Sequence, residues 1–348
     1  MTDRVTLALD AMGGDHAPHE TVRGAVEYAR DGGRKVILVG DPAAIERALG
    51  ELRFEPRDIE VQPASQVIES GEKIGKIRTK RDSSLHVACR LVRDGRAAAL
   101  VSAGHTGAFM AIGRVILGLI KGVDRPALPA PFPHRGKGYS ILIDAGANLD
   151  CRPEHFRQFA VMGFHYSRRV FGVENPRVAL LGIGVEDSKR NAVQREVASI
   201  LSETRVNFIG NVEGNDLFAD RADVVLCDGF VGNVSLKVAE GLAETFIEEL
   251  RGEIVKGPLR RLGALPLRPV FRVLRNKLDY REYGGVPLLG LREVAVVAHG
   301  RSHSRAIRNA LRVAEKAAAS QMTDKIARDI TMLHETEERL AAASGKGG

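Results

Sequence analysis

Short runs of apolar, often β-branched residues recur along the chain, and each leads through a loop of small or polar residues into an amphipathic stretch. Apolar strands that alternate with helices in this way are typical of a parallel sheet covered by helices on both faces. The pattern predicts an α/β fold, namely a doubly wound, mostly parallel sheet in an α/β/α sandwich. Seven strands are predicted, over residues 5–9, 35–39, 98–101, 140–143, 178–181, 224–227 and 294–298.

Amphipathic segments between these strands predict the helices. Asp41 and Pro42, for example, suit the N-cap and the first position of a helix. We expect one two-lobed α/β domain over residues 1–343, with a helical hairpin at 253–280 inserted in it and a disordered tail at 344–348. A proline-rich stretch at 125–133 is either a loop across the sheet edge or a hinge between lobes. The predicted helices are 19–31, 43–52, 82–94, 107–118, 153–171, 191–203, 231–251, 302–319 and much of 323–343.

The composition fits a soluble globular protein. Of 348 residues, 44% are hydrophobic and 27% are charged, which supplies a sizeable core and argues against global disorder. The longest uncharged run, residues 97–113, is too short and too polar to span a bilayer. Asp3, Arg4 and Asp10 interrupt the apolar stretch that a signal peptide needs. The cysteines form no C-x-x-C pair, which excludes a zinc ribbon. We therefore expect a cytoplasmic protein with no metal site.

The net charge of +7 is concentrated in one segment. Residues 256–277 carry seven Lys and Arg side chains and no acidic side chain. No zinc finger, RNP motif or basic zipper accompanies them, so we expect no nucleic-acid partner. Cations alternate here with apolar residues, which favours peripheral binding to an anionic membrane surface, whereas the alternative is a hairpin that packs in a dimer. The residues predicted to enter the membrane are Leu259, Leu262, Leu265, Leu267 and Phe271.

Glycine and small polar residues follow nearly every predicted strand. In open parallel sheets, ligands bind outside the carboxyl ends of the strands, and the helix N-termini there favour an anion such as phosphate. The sequence therefore predicts a shared polar cleft. Asp10, Asp144 and Asp228 have the alternative role of capping helices or closing turns. The candidate binding residues are Asp10, Gly13, Gly14, Asp15, Ser102, Gly104, His105, Thr106, Gly107, Asp144, Asn148, Glu186, Asp228, Gly229, Gly232, Gly300, Arg301 and Ser302.

Several common nucleotide and hydrolase motifs are absent from the sequence. There is no G-x-x-x-x-G-K-[ST], no G-x-S-x-G and no H-E-x-x-H, which disfavours P-loop, serine-hydrolase and zincin chemistry. Gly182 and Gly184 begin a dinucleotide fingerprint, but its third glycine is missing. This segment is therefore a weak candidate for an NAD site.

Six stretches, taken together, resemble the phosphate acyltransferase family. Among the departures from the family pattern, His105 stands where Asn is usual, and His303-Ser304 replaces Asn-Ala. The family usually has acidic residues followed by Lys-Gly-Asn in a further loop. Here Val185 and Arg190 interrupt that pattern, although Glu186, Lys189 and Asn191 remain. The matching stretches are Leu7-Ala-Leu-Asp-Ala-Met-Gly-Gly-Asp-His-Ala-Pro18, Val101-Ser-Ala-Gly-His-Thr-Gly-Ala108, Ile143-Asp-Ala-Gly-Ala-Asn148, Asp228-Gly-Phe-Val-Gly-Asn-Val234, Tyr283-Gly-Gly-Val-Pro-Leu-Leu-Gly290 and His299-Gly-Arg-Ser302.

The resemblance implies an activity and a set of partners. A long-chain acyl group passes from acyl-acyl carrier protein to inorganic phosphate, which gives acyl phosphate for phospholipid synthesis. The resemblance also implies a homodimer, a fold similar to isopropylmalate dehydrogenases and phosphotransacetylases, no organic cofactor, and peripheral membrane association. A downstream membrane glycerol-3-phosphate acyltransferase consumes the product. A second basic run either docks the acidic carrier protein or is a solvated loop; it comprises Lys73, Lys76, Arg78, Lys80 and Arg81.

Direct attack of phosphate on the thioester is the mechanism we expect. The thiol leaving group ionises near pH ~8.5, so the protein has mainly to hold phosphate and stabilise the oxyanion. Lys189 and Arg301 are candidate anion ligands, and Asn191 and Asn233 could orient them. His299 could remove a phosphate proton or donate a hydrogen bond. The alternatives are an acyl-CoA-dependent phosphotransacetylase, a decarboxylating dehydrogenase and an inert membrane scaffold.

Overall fold

The computed structural model describes residues 5–69, 71–77, 79–184, 192–278 and 284–344. The strands of these residues form two sheets, each mostly parallel with one antiparallel edge strand. The first sheet has the order β10-β11-β4-β1-β2-β3 and the second the order β5-β6-β9-β7-β8. Their bounds are β1 Leu7–Asp10, β2 Val36–Gly40, β3 Ile59–Pro63, β4 Ala99–Ser102, β5 Ala130–Pro133, β6 Tyr139–Ile143, β7 Arg177–Leu181, β8 Asn207–Val212, β9 Val224–Leu226, β10 Gly285–Pro287 and β11 Val294–Ala298.

Helices flank both sheets, and each predicted helix is present with ends shifted by a few residues. Asp41 caps the second helix through a hydrogen bond from the Ala43 N–H to its Oδ1, 3.1 Å. The helix bounds are α1 His19–Arg30, α2 Pro42–Gly50, α3 Ile74–Ile77, α4 Ser84–Arg93, α5 Thr106–Ile116, α6 Pro153–Tyr166, α7 Ala192–Ser202, α8 Gly229–Val255, α9 Pro258–Ala264, α10 Arg268–Leu278, α11 Ser304–Ala319 and α12 Met322–Ser344.

The central strands are buried along their whole length, which explains their near-continuous apolar sequences. Every residue of β1, β2, β4 and β11 is buried. In parallel sheets, helices cover both faces, so successive side chains on either face must be apolar. The predicted α/β fold with mostly parallel strands is thereby confirmed, although its strands divide between two sheets.

The two sheets share one hydrophobic core. Leu7 and Leu9 of the first sheet belong to the same buried cluster as Ile143 of the second sheet, and Phe159 of α6 belongs to it too. Ala127, in the segment before β5, and Leu289, in the segment after β10, exchange two backbone hydrogen bonds of 2.9 Å. The proline-rich stretch at 125–133 therefore runs from this contact into β5, an edge strand of the second sheet.

The predicted hairpin contains two short helices after the long α8. Pro258 begins α9, and α10 follows after Leu265–Leu267. Within the described residues, no helix is long and apolar enough to cross a membrane. Of the predicted disordered tail, residues 345–348 lie outside the described ranges, whereas Ser344 still belongs to α12.

Candidate functional site

The ends of β1 and β4 in the first sheet are joined through Ser102. Its buried Oγ donates a hydrogen bond to Asp10 Oδ2 at 2.7 Å and accepts one from the Gly104 N–H at 3.1 Å. Gly13 passes directly over this pair, where a Cβ atom would lie 2.6 Å from Asp10 Oδ2. A residue with a side chain therefore cannot replace Gly13 without displacing the Asp10–Ser102 pair.

Asp10 holds the loop rather than facing open solvent. Burial raises the pKa of Asp10, and hydrogen bonds from Ser84, Ser102 and the Met12 and Gly13 amides only partly offset this increase. The Met12 N–H donates to Asp10 Oδ1 at 3.3 Å, which closes the turn after β1. The turn-closing role is the one that the structure supports for this carboxyl group.

The loop after β11 completes a small cavity with the loops after β1 and β4. The Asp15 N–H donates to the Gly300 carbonyl at 2.8 Å. Gly14 has a φ of 106° and a Cβ atom there would lie 3.0 Å from the same carbonyl, so the close approach requires glycine. The cavity has a volume of about 260 Å³ and is lined by Met12, Gly14, Asp15, Val67, Ile68, Glu69, Ala103, Gly104, His105 and Gly300.

His105 is the N-cap of α5 at the wall of this cavity. Its Nδ1 accepts a hydrogen bond from the Ala108 N–H at 3.0 Å, so the neutral ring carries its proton on Nε2. Among the described residues, the N–H groups of Thr106 and Gly107 have no hydrogen-bond acceptor. Two free donors and the positive end of the helix dipole make this position suitable for an anion.

The loop with His299 and Arg301 forms a tight turn before α11. The Arg301 N–H donates to His299 Nδ1 at 3.2 Å, and the buried Ser302 donates its N–H to the His299 carbonyl at 2.9 Å. The Arg301 side chain is exposed. At the start of α11, Glu20 Oε2 accepts the Ser304 N–H at 2.6 Å. A carboxylate thus already occupies the N-terminus of α11.

Asp144 organises the loop after β6 in the second sheet. Its two oxygens accept hydrogen bonds from the N–H groups of Leu128, Gly146, Ala147 and Asn148 and from Asn148 Nδ2, at 2.6–3.3 Å. Burial raises the pKa of Asp144, while these donors act in the opposite direction. With five donors facing its carboxyl group, Asp144 serves as an acceptor that fixes the loop.

The first turn of α8 packs directly on the Asp144 loop because two of its residues are glycines. A Cβ atom at Gly229 would lie 2.5 Å from the Asn148 carbonyl oxygen, and one at Gly232 would lie 1.8 Å from the Asp144 carbonyl oxygen. Asp228 caps the helix by accepting the Val231 N–H at 2.9 Å. Asp228 therefore has the capping role that the sequence left as an alternative.

Asn233 also faces the Asp144 loop. A Cβ atom at Gly146 would lie 3.4 Å from both Cβ and Oδ1 of Asn233. The sequence-predicted residues of the second sheet thus form one group of contacts around the start of α8. They comprise Asp144, Asn148, Asp228, Gly229, Gly232 and Asn233.

The predicted residues of the first sheet form a separate group around the small cavity, and the contacts of the described residues do not connect the two groups. Glu186, Lys189 and Asn191 lie outside the described residues. Arg301 is exposed at the edge of the first group. A single cleft that joins both groups therefore stays a prediction.

Asn211, at the end of β8, is a candidate that the sequence interpretation missed. It is 7% exposed, and its Oδ1 has no hydrogen-bond partner among the residues that the structure describes. A Cβ atom at Gly182, in the loop after β7, would lie 3.1 Å from its Nδ2. A buried polar atom without a partner is uncommon and marks a place where a ligand could bind. Strand β8 was not predicted from the sequence. Its prediction would have identified Asn211 as a polar residue near a strand end, which is the signal used for the other candidates.

The cysteine thiols are poorly suited to act as nucleophiles. Burial raises the pKa of Cys151 to about 11, and it also raises the pKa of Cys89 and of Cys227 well above the usual range. A thiol with such a pKa stays protonated at neutral pH and is a weak nucleophile. Among the described residues, no group of three or more His, Cys, Asp or Glu side chains could hold a metal ion.

Solved structures with a similar fold include a phosphotransacetylase and a phosphotransacylase. A phosphotransacetylase from Streptococcus pyogenes has a TM-score of 0.64 and 16% sequence identity, covering 92% of this chain and 95% of that protein. A branched-chain phosphotransacylase from Enterococcus faecalis has a TM-score of 0.54 and 13% identity, covering 90% and 98%. The expected similarity to the phosphotransacetylase fold is thereby confirmed.

Sequence comparison defines the family. A family model described as "Fatty acid synthesis protein" matches residues 5–325. The phosphate acyltransferase of Myxococcus xanthus is 51% identical over 310 residues, which are 88% of this chain and 88% of the relative. That of Thermodesulfovibrio yellowstonii is 44% identical over 333 residues, 96% and 95% of the two chains. The chain belongs to the phosphate acyltransferase family and is an acyltransferase.

Proposed function

We propose that the chain transfers a long-chain fatty acyl group from acyl-acyl carrier protein to inorganic phosphate. The acyl phosphate formed would serve phospholipid synthesis, where a membrane glycerol-3-phosphate acyltransferase consumes it. The observation that carries the proposal is the cavity beside the N-terminus of α5. Three of its lining residues are glycines and two are the acidic residues Asp15 and Glu69. The helix N-terminus beside it suits a phosphate group, because the N–H groups of Thr106 and Gly107 have no acceptor among the described residues.

The proposed reaction needs no covalent enzyme intermediate. A phosphate oxygen attacks the thioester carbonyl carbon, the C–O bond forms, and the tetrahedral oxyanion then collapses with cleavage of the C–S bond. The proton of hydrogen phosphate passes to the departing thiolate, so the products are acyl phosphate and free thiol. The protonated state of all three cysteines is consistent with this direct route.

The side chains divide between binding and orientation in this proposal. Arg301 and Lys189 attract the phosphate. The N–H groups of Gly104, Gly229 and Gly232 already donate to Ser102 Oγ and to the carbonyls of Asn148 and Asp228, so these glycines shape the loops around the substrate, and the cationic side chains stabilise the oxyanion. Asn191 and Asn233 orient these groups. Because His299 Nδ1 accepts the Arg301 N–H, its neutral ring carries the proton on Nε2. This arrangement favours His299 as a hydrogen-bond donor over His299 as a base.

Thiol release from palmitoyl-carrier protein tests the proposed reaction. We expect release to require phosphate, and Arg301→Ala to raise the KM for phosphate by about tenfold, a typical loss for one charge-assisted contact. Arg53→Glu, at an exposed position far from the strand ends, is the control. Faster turnover with palmitoyl-CoA would instead favour the phosphotransacetylase alternative, and thiol release that is independent of phosphate would contradict the proposal.

The basic run near the cavity is proposed to dock the acidic carrier protein. Residues 67–69 line the cavity, and the run follows them directly. Lys80 donates to the Val67 carbonyl and to Glu72 Oε1, both at 2.6 Å, so it stabilises this loop. Lys73 and Arg81 are exposed, and so is Lys76, whose Nζ lies 3.7 Å from Glu72 Oε1. These three cations are the proposed docking residues, whereas Arg78 lies outside the described residues.

A charge-reversal variant tests carrier-protein docking. Lys73→Glu/Lys76→Glu should raise the KM for the acylated carrier protein and leave the KM for phosphate unchanged, because only the protein donor has an acidic surface. Arg53→Glu is the matched control. An unchanged KM for the carrier protein would mean that the run is only a solvated loop.

We also propose that the hairpin binds an anionic membrane surface. Leu262 and Val273 are about two-thirds exposed, Leu265 and Leu267 are exposed as well, and Phe271 is half-buried. The side chain of Leu259 lies outside the described part of the chain. Exposed leucines beside arginines suit the boundary between lipid headgroups and acyl chains.

Flotation with phosphatidylglycerol vesicles tests membrane binding. Leu262→Glu/Leu265→Glu should lower the vesicle-bound fraction severalfold because it places charges in the apolar layer. Val115→Glu, at another exposed apolar position, should bind as the wild type does. Undiminished flotation of the double variant would exclude these leucines as the anchor.

The outer face of α8 supports the proposed homodimer. Val231, Val234, Val238 and Leu242 form an exposed apolar row along it, and such a row is typical of a protein interface. Val238→Lys should shift the sedimentation coefficient from that of a dimer to that of a monomer. An unchanged dimer would place the interface elsewhere.

A further inference from the structure

A second, apolar cavity lies between α8 and the edge strand β5. It has a volume of about 330 Å³, within the range of small-molecule sites. Among the described residues that line it, Glu240 is the one ionisable residue, and its carboxylate accepts a hydrogen bond from Lys237 at 2.7 Å. The main walls are Phe132, Phe218, Leu236, Ala239, Ala243 and Phe246.

The cavity begins one turn of α8 beyond Gly232, on the same face of the helix. Gly232 lies against the Asp144 carbonyl, and Leu236, Ala239, Ala243 and Phe246 follow at alternating spacings of four and three residues. Residues at this spacing share one helix face. The first wall residue is therefore about 6 Å along the helix from Gly232, and the last is about 20 Å away.

This face differs from the exposed row of the proposed dimer. Val231 and Gly232 are consecutive, so the two rows are separated by about 100° around the helix axis. Leu236 and Ala239 pack partly against the buried cluster of the second sheet, whereas Val238 is 65% exposed. Leu242 belongs to the exposed row and also lines the cavity, so the two surfaces meet at this residue.

We propose that this cavity holds the alkyl chain of the acyl thioester. This proposal rests on the proposed function and adds to it a binding site for the alkyl chain of the substrate. The thioester carbonyl would lie near the start of α8, outside the packed Gly229 and Gly232, and the alkyl chain would extend along α8 toward Phe246. The methyl side chains of Ala239 and Ala243 leave the space that the chain fills, while Phe132 and Phe218 form the opposite wall.

Ala243→Phe tests the proposal because it fills the cavity without adding charge. We expect the ratio of kcat/KM for palmitoyl-carrier protein to that for butyryl-carrier protein to fall by roughly tenfold, since a blocked pocket discriminates by chain length. Glu244→Phe, on an exposed neighbouring position, is the matched control and should keep the wild-type ratio. An unchanged ratio in Ala243→Phe would overturn the proposal.

Photo-crosslinking provides a second test that needs no variant. A palmitoyl-carrier protein analogue with a diazirine at the chain end should label peptides containing Phe246 or Phe132. Labelling confined to the hairpin or to peptides of the first sheet would overturn the assignment of the cavity. Absence of phosphate-dependent turnover with every donor would overturn the proposed function itself, whereas turnover without chain-length discrimination would overturn only this site.

Discussion

At the scale of single residues, the candidate site depends on close backbone contacts that only glycine allows. Gly232 has the tightest of these contacts, since a Cβ atom there would lie 1.8 Å from the Asp144 carbonyl oxygen. Gly241 is on the same helix, but a Cβ atom there would meet nothing within 4 Å. The sequence could predict that glycines matter at strand ends, whereas only the structure distinguishes these two cases.

This contrast predicts opposite effects of the same substitution. Gly232→Ala should destabilise the protein by about 1–3 kcal/mol because α8 must move away from the loop. Gly241→Ala should stabilise it by up to about 1 kcal/mol, because alanine is the better helix former. Urea unfolding followed by circular dichroism measures both. Equal stabilities of the two variants would contradict the close contact at Gly232.

Glu20 provides a prediction about pH. Partial burial acts to raise the pKa of Glu20, but the Ser304 N–H and the neighbouring His19 and His303 together hold it below its usual value. The charged form therefore favours the folded state above the usual carboxyl pKa. This contribution is lost as the pH falls through the lowered pKa of the folded protein.

The matching variant is Glu20→Gln, which keeps the shape of the side chain but does not ionise. Wild type should be more stable than the variant at pH 7 by less than about 1 kcal/mol, since Glu20 is partly solvated. The difference should begin to fall near the unfolded pKa of about 4.3 and should be lost as the pH drops below the lowered pKa of the folded protein. Unfolding curves at several pH values measure this, and a difference that does not decrease at all between pH 7 and the acidic end of the series would exclude Glu20 as its source.

At the scale of elements, the seven predicted strands all occur, and the four that were missed are the four edge strands: β3, β5, β8 and β10. Edge strands are covered less completely, so they carry polar residues or prolines. In β8, for example, only Asn211 and Val212 are buried. The apolar pattern that identifies a central strand is therefore weak in these four.

This difference predicts the order of amide hydrogen exchange. The amides of β1 and β4, which lie in the middle of the first sheet, should exchange most slowly among the strands. Those of β3 and β8 should exchange faster, since each has a neighbour on one side only. Mass spectrometry of peptides from the native protein measures the rates. Slower exchange in β8 than in β1 would contradict this arrangement.

At the scale of the whole molecule, the two sheets meet through a shared core and through the segment that pairs Ala127 with Leu289. Motif spacing indicated which loops follow strands, but it could not assign those loops to two sheets, because strand order depends on long-range packing. The candidate residues consequently form two groups, one per sheet. Direct acyl transfer requires phosphate and thioester to meet at these strand ends.

A crystal structure of the protein with inorganic phosphate bound tests the central claim most directly. We expect phosphate in the cavity beside α5, within hydrogen-bond distance of the Thr106 and Gly107 N–H groups. Occupancy there should decrease in crystals of a His105→Pro variant, which loses the cap of α5, and should be retained in His105→Asn, because Asn is a good N-cap. Phosphate bound only elsewhere, with this cavity empty, would contradict the account.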